Sequence, residues 1–360
     1  MKYDYIIVGA GLAGIVSANI LANKGKKVLI LEKRNHIGGN CYDYYQNGIL
    51  IHKYGPHIFH TNNEHVWNYL SRFTEWNNYR HKVKSSIYKD SELYDFPVNL
   101  CSINKIIPGN LTKLLDKYKG RMEVSIFELI NDKEFKSLGL DLYRLFYENY
   151  SKKQWGNYYN NLDNSVLNRV KIKLFFDNNY FNDKYQGLPL NGYTEMFLNM
   201  IDNKNITIIF NYNDSVLNYN YDNIIYTGRI DELFNYCFGV LPYRSLDFKF
   251  NFYDKKNYQD YAVINYPNEE KYTRTTEFKH MTGQEVYGTI ISKEYPKECK
   301  ENDIPYYPIL VNKNIELFNK YKQLVDKIPN LLLLGRLAEY KYYDMDKIID
   351  RVLSEVSKIE

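Results

Sequence analysis

Four cysteines in 360 residues is a small number, and none of them stands in a C-x-x-C pair. Cys41, Cys101, Cys237 and Cys299 are far apart along the chain. Neither a disulfide framework nor a thiolate metal knuckle is read from them, and a reducing, cytoplasmic setting is expected. Charge imbalance is also missing: 47 Lys and Arg against 43 Asp and Glu leave +4. That is too little to require nucleic acid as a partner, although a few arginines turned toward one anion need no more. No apolar run is long enough to suggest a membrane span. The first, YIIVGAGLAGIVSANILA, is broken by glycines, and no secretory leader is read in it. There is no internal repeat, no obvious pair of acids at glycosidase-like spacing and no Ser-His-Asp pattern. Tyrosine is plentiful at 38 residues, but Lys, Asn and Ile are enriched with it, as an A+T-rich coding bias produces. With 44% hydrophobic residues over this length, two or three interwoven subdomains are expected.

The N-terminus carries a nucleotide-binding signal. DYIIV (4–8) is an uninterrupted β-branched run, as a buried parallel strand requires. Gly9-Ala10-Gly11-Leu12-Ala13-Gly14 follows, then a helical IVSANILANKG, then KKVLILEKR, a second strand ending at Glu32. This is a dinucleotide-binding βαβ unit with its glycines in context. Gly9 serves the tight turn, Gly11 the close approach of a pyrophosphate, and Gly14 the packing of helix on strand. Glu32 is placed for a ribose diol. The basic residue after it, Lys33, and the Gly38-Gly39 pair one turn later are typical of FAD-binding members. YDNIIYTGRID (221–231) reads as a further strand ending at Thr227-Gly228. NLLLLGRLAEYKYYDMDKII (330–349) reads as strand, glycine turn and helix. The cofactor domain is therefore expected to be discontinuous.

Between these pieces the pattern changes. From Ile103 to Asn149 apolar residues recur at helical steps. From Lys171 onward, and over 244–310, alternation predicts antiparallel strands, RSLDFKFNFY and YGTIISKEY among them. The Asn-rich patches at 157–164 and 211–223 read as loops. The fold class expected is α/β: a Rossmann-like FAD-binding domain (1–75, 190–235 and 320–360), an inserted helical subdomain (100–165), and an antiparallel β-sheet substrate subdomain (76–99, 166–189 and 236–319).

HKYGPHIFHT (52–61) holds three histidines in ten residues. Gly55-Pro56 breaks any helix ahead of His57, and no further ligands converge nearby, so no metal is expected. On these residues alone a proton relay and a loop laid against a ligand both stay open.

HKYGPHIFHT, YSKKQWG (150–156), FDNNYFNDKYQGLPLNGYT (176–194), YTR (272–274), PYYP (305–308) and GRLAEYKYYDM (335–345) together resemble the UDP-galactopyranose mutase family. The likeness runs in order along essentially the whole chain, which is shorter than the family around 101–130. The resemblance implies an isomerase that interconverts UDP-galactopyranose and UDP-galactofuranose with no net redox change. In that family the reduced FAD N5 attacks the anomeric carbon and UDP leaves. It further implies that Arg169 and Arg274 hold the diphosphate, and that Tyr180, Tyr307 and Tyr342 line the sugar-phosphate site. Tyr150 would lie beside the uracil with Ser151 next to it, Trp155 on a mobile lid, and Asn265 and His81 against the substrate. Gly9, Gly11, Leu12, Gly14, Glu32, Lys33, Gly39, Asn40, His57, Arg336, Tyr343, Asp344 and Met345 would hold FAD. His57 is expected at the flavin's reactive edge, hydrogen-bonding through backbone or ring where the flavin N5 gains and loses a proton, a place that suits a group whose charge changes near neutral pH, with His52 and His60 structural. An external reductant such as NAD(P)H and a homodimer are expected, with no nucleic acid and no membrane. Three alternatives share the fold: a mutase for N-acetylated UDP-galactose, a flavin-dependent oxidoreductase, and a binding module without flavin.

Overall fold

The computed structural model describes residues 2–88, 92–109, 111–161, 169–213 and 216–359. The chain folds as two compact units: Met1–Tyr79, Asp183–Tyr243 and Pro305–Glu360 form one, and Arg80–Asn182 with Arg244–Ile304 the other.

The first unit is built on a parallel sheet. Its strands lie in the order Ile206–Ile209, Val28–Leu31, Lys2–Val8, Asn220–Tyr226 and Leu331–Leu333. Ile6, Ile7, Leu29 and Ile30 have no exposed surface, which explains why these strands read as continuous apolar runs. The helix Leu12–Asn23 shares a core with the helices Tyr193–Ile201 and Met345–Val356, through Ile15, Ala18, Met196, Phe197, Ile349 and Val352 among others. Register matters here: Val8 pairs with Leu31 on one side and Tyr226 on the other, and Tyr226 pairs with Leu333. Gly9, Glu32, Thr227 and the turn at Gly335 therefore follow strands that end together. This carboxyl edge is where open α/β sheets bind ligands.

The second unit joins helices to a sheet. Leu100–Ile106, Leu111–Lys117, Ile126–Asn131 and Lys136–Leu142 are helical, and Ser125 and Glu128 form a capping box on the third of them. A π-helical stretch, Tyr143–Glu148, then runs into the helix Asn149–Trp155. Ile103, Leu114, Leu129, Leu138, Leu142 and Phe146 form the buried core of this part. The sheet places Tyr243–Tyr253, Thr289–Glu298, Arg274–Glu277, Val263–Asn265, Val83–Ser85 and Tyr94–Phe96 side by side. Every pair is antiparallel except Val263–Asn265 with Val83–Ser85.

Several expectations differ from this picture. The helical segment and the sheet share one compact unit rather than forming two subdomains. Residues 183–189 fall in the dinucleotide unit because Tyr185–Gly187 pairs with Phe59–Thr61. Residues from 305 fall there too, where the Tyr340 hydroxyl bonds the carbonyls of Pro242 and Ile309. Of the antiparallel strands expected from Lys171 onward, Ile172–Lys173 pairs with Glu123–Val124 in the helical part and Tyr185–Gly187 with Phe59–Thr61. Of the Asn-rich patches, residues 156–161 form a 3-10 turn and 162–164 lie outside the described residues. Residues 220–223 are strand rather than loop, because backbone pairing to Lys2–Val8 satisfies them while their side chains sit at the sheet's more exposed end. Residues 214 and 215 lie outside the described residues. Among the described residues no helix is long and apolar enough to cross a membrane.

Candidate active site

Two glycine loops close on each other at the carboxyl edge of the parallel sheet. Gly9 has φ +104°, and a Cβ there would lie 2.2 Å from Thr227 Oγ1. A Cβ on Gly14 would lie 2.0 Å from the Gly9 carbonyl oxygen, so helix and loop pack too closely for any side chain. Gly38 donates its N–H to the Ala10 carbonyl at 2.8 Å. Gly39, at φ +56°, passes so near that a Cβ would come within 2.9 Å of Gly11 Cα. Gly11 itself is different: the nearest atom to a Cβ there is 3.8 Å away. Above it the helix Leu12–Asn23 begins with no side-chain cap and no acid in its first turn. Its first N–H groups and their partial positive charge are thus left for an anion. This cradle fits a dinucleotide pyrophosphate.

Glu32 is buried and accepts the Ala10 N–H at 2.7 Å and the Arg34 N–H at 2.8 Å. Each carboxylate oxygen keeps a lone pair, enough to accept from a ribose diol. Lys33, expected beside the cofactor, is exposed. The basic side chain drawn inward is Arg34, which donates to Asn40 Oδ1 at 2.9 Å and stands 4.5 Å over the Tyr54 ring. Sequence reasoning missed it because two successive basic residues give no sign of which one turns in.

The histidine loop is also more constrained than its sequence suggests. His57 donates its backbone N–H to His52 Nδ1 at 3.0 Å, and its own Nδ1–H to the Gly55 carbonyl at 2.8 Å. A carbonyl only accepts, so the His57 proton is on Nδ1 and its Nε2 is an acceptor. Burial, reinforced by His52, lowers the His57 pKa to about 4. The change of charge expected near neutral pH is therefore not open to it: this ring stays neutral there. His52 is fully buried, edge-on to Tyr193, with its pKa lowered to about 3 by burial. His60 pairs with Asp183 at 2.9 Å. Among the described residues, no group of three His, Cys, Asp or Glu converges to hold a metal.

The segment after Gly335 forms a third element in this unit. Arg336 donates to the carbonyls of Tyr343 (2.5 Å) and Tyr306 (3.2 Å). Its guanidinium lies 5.1 Å from the Tyr342 ring and 5.7 Å from that of Tyr307. Those two rings stack at 5.6 Å. Glu339, also missed from sequence, is buried. It accepts from the Gly335 N–H, the Tyr343 hydroxyl and Arg351 Nε. Burial, with Glu339 beside it, pushes the Tyr343 hydroxyl up to about 12. Met345 meets the buried Cys41 thiol at 3.6 Å, and Asp344 is the exposed cap residue before the last helix.

In the second unit the sheet register sets Arg274 opposite Asn265 on one neighbouring strand and Glu294 on the other. Arg274 Nη2 donates to the Tyr150 hydroxyl at 2.5 Å, and its Nε is 3.4 Å from Glu294 Oε1. Glu294 is only 4% exposed and also accepts from Thr273 Oγ1 at 3.1 Å. Burial raises the Tyr150 hydroxyl, with Arg274 opposing. The sequence offered no sign of Glu294, which lies twenty residues away on another strand. Tyr180 donates its N–H to the His81 carbonyl at 2.7 Å, and their rings are 5.5 Å apart. His81 and Asn265 are buried, Ser151 and Tyr180 half-buried, and Trp155, at 8% exposure, is packed in. Arg169 is exposed at a bend.

Residues 145–342 match the model of a family described as UDP-galactopyranose mutase, and residues 7–73 that of an NAD(P)-binding Rossmann-like domain. A UDP-galactopyranose mutase of Mycoplasma genitalium is 42% identical over 374 residues, covering 97% of this chain and 92% of that protein. A dTDP-fucopyranose mutase of Escherichia coli is 36% identical over 364 residues, covering 97% and 96%. In fold, the chain is similar to a crystal structure of reduced UDP-galactopyranose mutase. The TM-score is 0.76 at 13% identity, over 100% of this chain and 94% of the other.

Proposed function

Because the chain belongs to the UDP-galactopyranose mutase family, we propose that it interconverts UDP-galactopyranose and UDP-galactofuranose, with FAD as a bound cofactor and no net oxidation. One observation carries this reading: identity of 42% over 97% of the chain. When bound and reduced, FAD supplies the nucleophile for the sugar's anomeric carbon, which explains why no paired carboxylates or nucleophilic triad are needed.

The protein's own groups do the rest. Gly9, Gly11, Gly14 and Gly39 shape the bed for the pyrophosphate, Leu12 opens the helix that faces it, and Glu32 takes the ribose. Arg34 and Asn40 brace that loop. His57, neutral and with its Nδ1 proton given to Gly55, offers an acceptor to the cofactor and holds position instead of trading protons. Arg336, Tyr343, Asp344 and Met345 complete the cofactor set. Arg274, fixed on one side by Glu294 and on another by Tyr150, presents its remaining donors to the diphosphate. Arg169 joins it there, and the two stabilise UDP as it departs, each charged bond being worth about 1.5–3 kcal/mol. Tyr180, Tyr307 and Tyr342 line the sugar-phosphate, while Tyr150 and Ser151 meet the base. Asn265 and His81 touch the sugar nucleotide, and Trp155 closes the site against water. NAD(P)H is the proposed reductant, a homodimer the proposed assembly, and the cytoplasm the proposed setting.

The Escherichia coli relative favours one second reading, a dTDP-linked deoxysugar as substrate. The test is to reduce the flavin-loaded protein with dithionite and supply UDP-galactofuranose or dTDP-fucopyranose separately, with an oxidised control. Conversion of the first to UDP-galactopyranose, only after reduction, is the expected result. Turnover of dTDP-fucopyranose alone selects the second reading, and a reduced protein inactive on both overturns the mutase assignment.

A further inference from the structure

We propose that Arg244 is a positioning residue for substrate binding: its guanidinium clamps the C-terminal end of the helix Asn149–Trp155 and so fixes Tyr150, Ser151 and Trp155. The proposal rests on the reading that these three side chains meet the nucleotide sugar.

Arg244 is 3% exposed and stands near the start of the long strand Tyr243–Tyr253. Its Nε–H donates to the Gln154 carbonyl at 2.6 Å and its Nη2–H to the Lys153 carbonyl at 3.2 Å. Both carbonyls belong to the last turn of the helix, where intrahelical donors run out. The chain then turns at Gly156 with φ +56°, and a Cβ there would lie 3.0 Å from Arg244 Nη1. The backbone thus folds directly over the guanidinium. A cation at this end also meets the negative pole of the helix.

This helix needs such a clamp. It has seven residues and follows a π-helical stretch, and so short a segment does not hold itself. Besides the Arg274 bond to Tyr150, two anchors reach the stretch just after Asn265: Lys153 Nζ donates to the Tyr266 carbonyl at 2.8 Å, and Asn149 Nδ2 to Asn268 Oδ1 at 3.2 Å. Those two ties fix one side of the helix. At its end the Gly156 N–H takes the Lys152 carbonyl and Arg244 takes the next two, and a planar fork is the shape that reaches two successive carbonyls at once.

The experiment uses flavin-loaded holoenzyme carrying Arg244→Gln or Arg244→Lys. UDP affinity is read by calorimetry, and backbone amide exchange is followed over residues 153–157. For Arg244→Gln, the Kd for UDP should rise about tenfold with faster exchange over that segment. Arg244→Lys, which keeps the charge but not the fork, should recover part of both. Flavin content should be unchanged in each. Wild-type exchange and wild-type Kd in Arg244→Gln overturn the clamp, and faster exchange at an unchanged Kd overturns its link to substrate. If Arg244→Gln does not fold, Arg244→Lys carries the same comparison, and a Kd equal to wild type then counts against the proposal. A wild-type holoenzyme that binds neither UDP nor dTDP removes the underlying reading, which separates that failure from a failure of Arg244 alone.

Discussion

His52 accepts the backbone N–H of His57 through its Nδ1 at 3.0 Å, so two neighbouring histidines are locked into complementary tautomers. His52 carries its proton on Nε2 and His57 on Nδ1. A protonated His52 has no lone pair for that bond, which ties the shape of the loop to the neutrality of both rings.

A pH dependence of stability follows. Burial holds His52 near 3 and His57 near 4, against 6.5 for an ordinary histidine. The unfolded chain therefore binds more protons than the fold once the pH drops below about 6.5. Stability from these rings is complete above that point and falls as the pH approaches 4 and then 3. The slope is up to about 1.4 kcal/mol per pH unit for each ring. Chemical unfolding at a series of pH values should show it, and His52→Asn should flatten it. A flat profile between pH 6.5 and 4.5 in the wild type would refute the assignment.

The glycines of the cradle should separate by what a methyl meets. Gly14→Ala drives a Cβ into the Gly9 carbonyl and should lower the melting temperature and flavin content together. Gly11→Ala has room in the protein itself, so it should melt like wild type yet lose flavin. Equal flavin content in Gly11→Ala and wild type would mean that no ligand approaches there.

Lys33→Ala should leave flavin content unchanged, and Arg34→Ala should lower it. The second change frees Asn40 and uncovers the Tyr54 ring. The reverse order would restore the expectation drawn from sequence.

Arg274→Lys loses the planar fork that Tyr150 and Glu294 hold between them. The expected loss in kcat/KM is roughly 10- to 150-fold, the equivalent of one charged hydrogen bond, with flavin retained. Steady-state kinetics on the reduced enzyme measures it, and a loss under threefold would take Arg274 out of the substrate site.

Much of the cofactor half was legible because its constraints are local. GAGLAG, the acid at the end of the second strand and the glycine after the last strand each state their geometry in a few consecutive residues. The parts that were missed depend on distant partners. Glu294 has meaning only when the sheet register sets it opposite Arg274, and Glu339 only when Gly335, Tyr343 and Arg351 converge on it. Ile172–Lys173 alternates like any strand, yet its neighbour is Glu123–Val124, a pairing no window of residues reveals. The polarity of Asn220–Asn223 pointed to loop, whereas backbone pairing decided the matter. The chemistry of His57 was misread for a similar reason, since its titration is set by burial and by His52 and not by the properties of free imidazole.

The in-register strand ends have a consequence for how the protein comes to be made. The cradle's edge is formed by the residues after Val8, Leu31, Tyr226 and Leu333, so the bed is not whole until the segment that follows Leu333 has been synthesised. Capture of the proposed cofactor would follow that step, and flavin content would report that Lys2–Val8 and Leu331–Leu333 have joined one sheet. Chains without the cofactor would lack the stabilisation that ligand binding adds to the folded state.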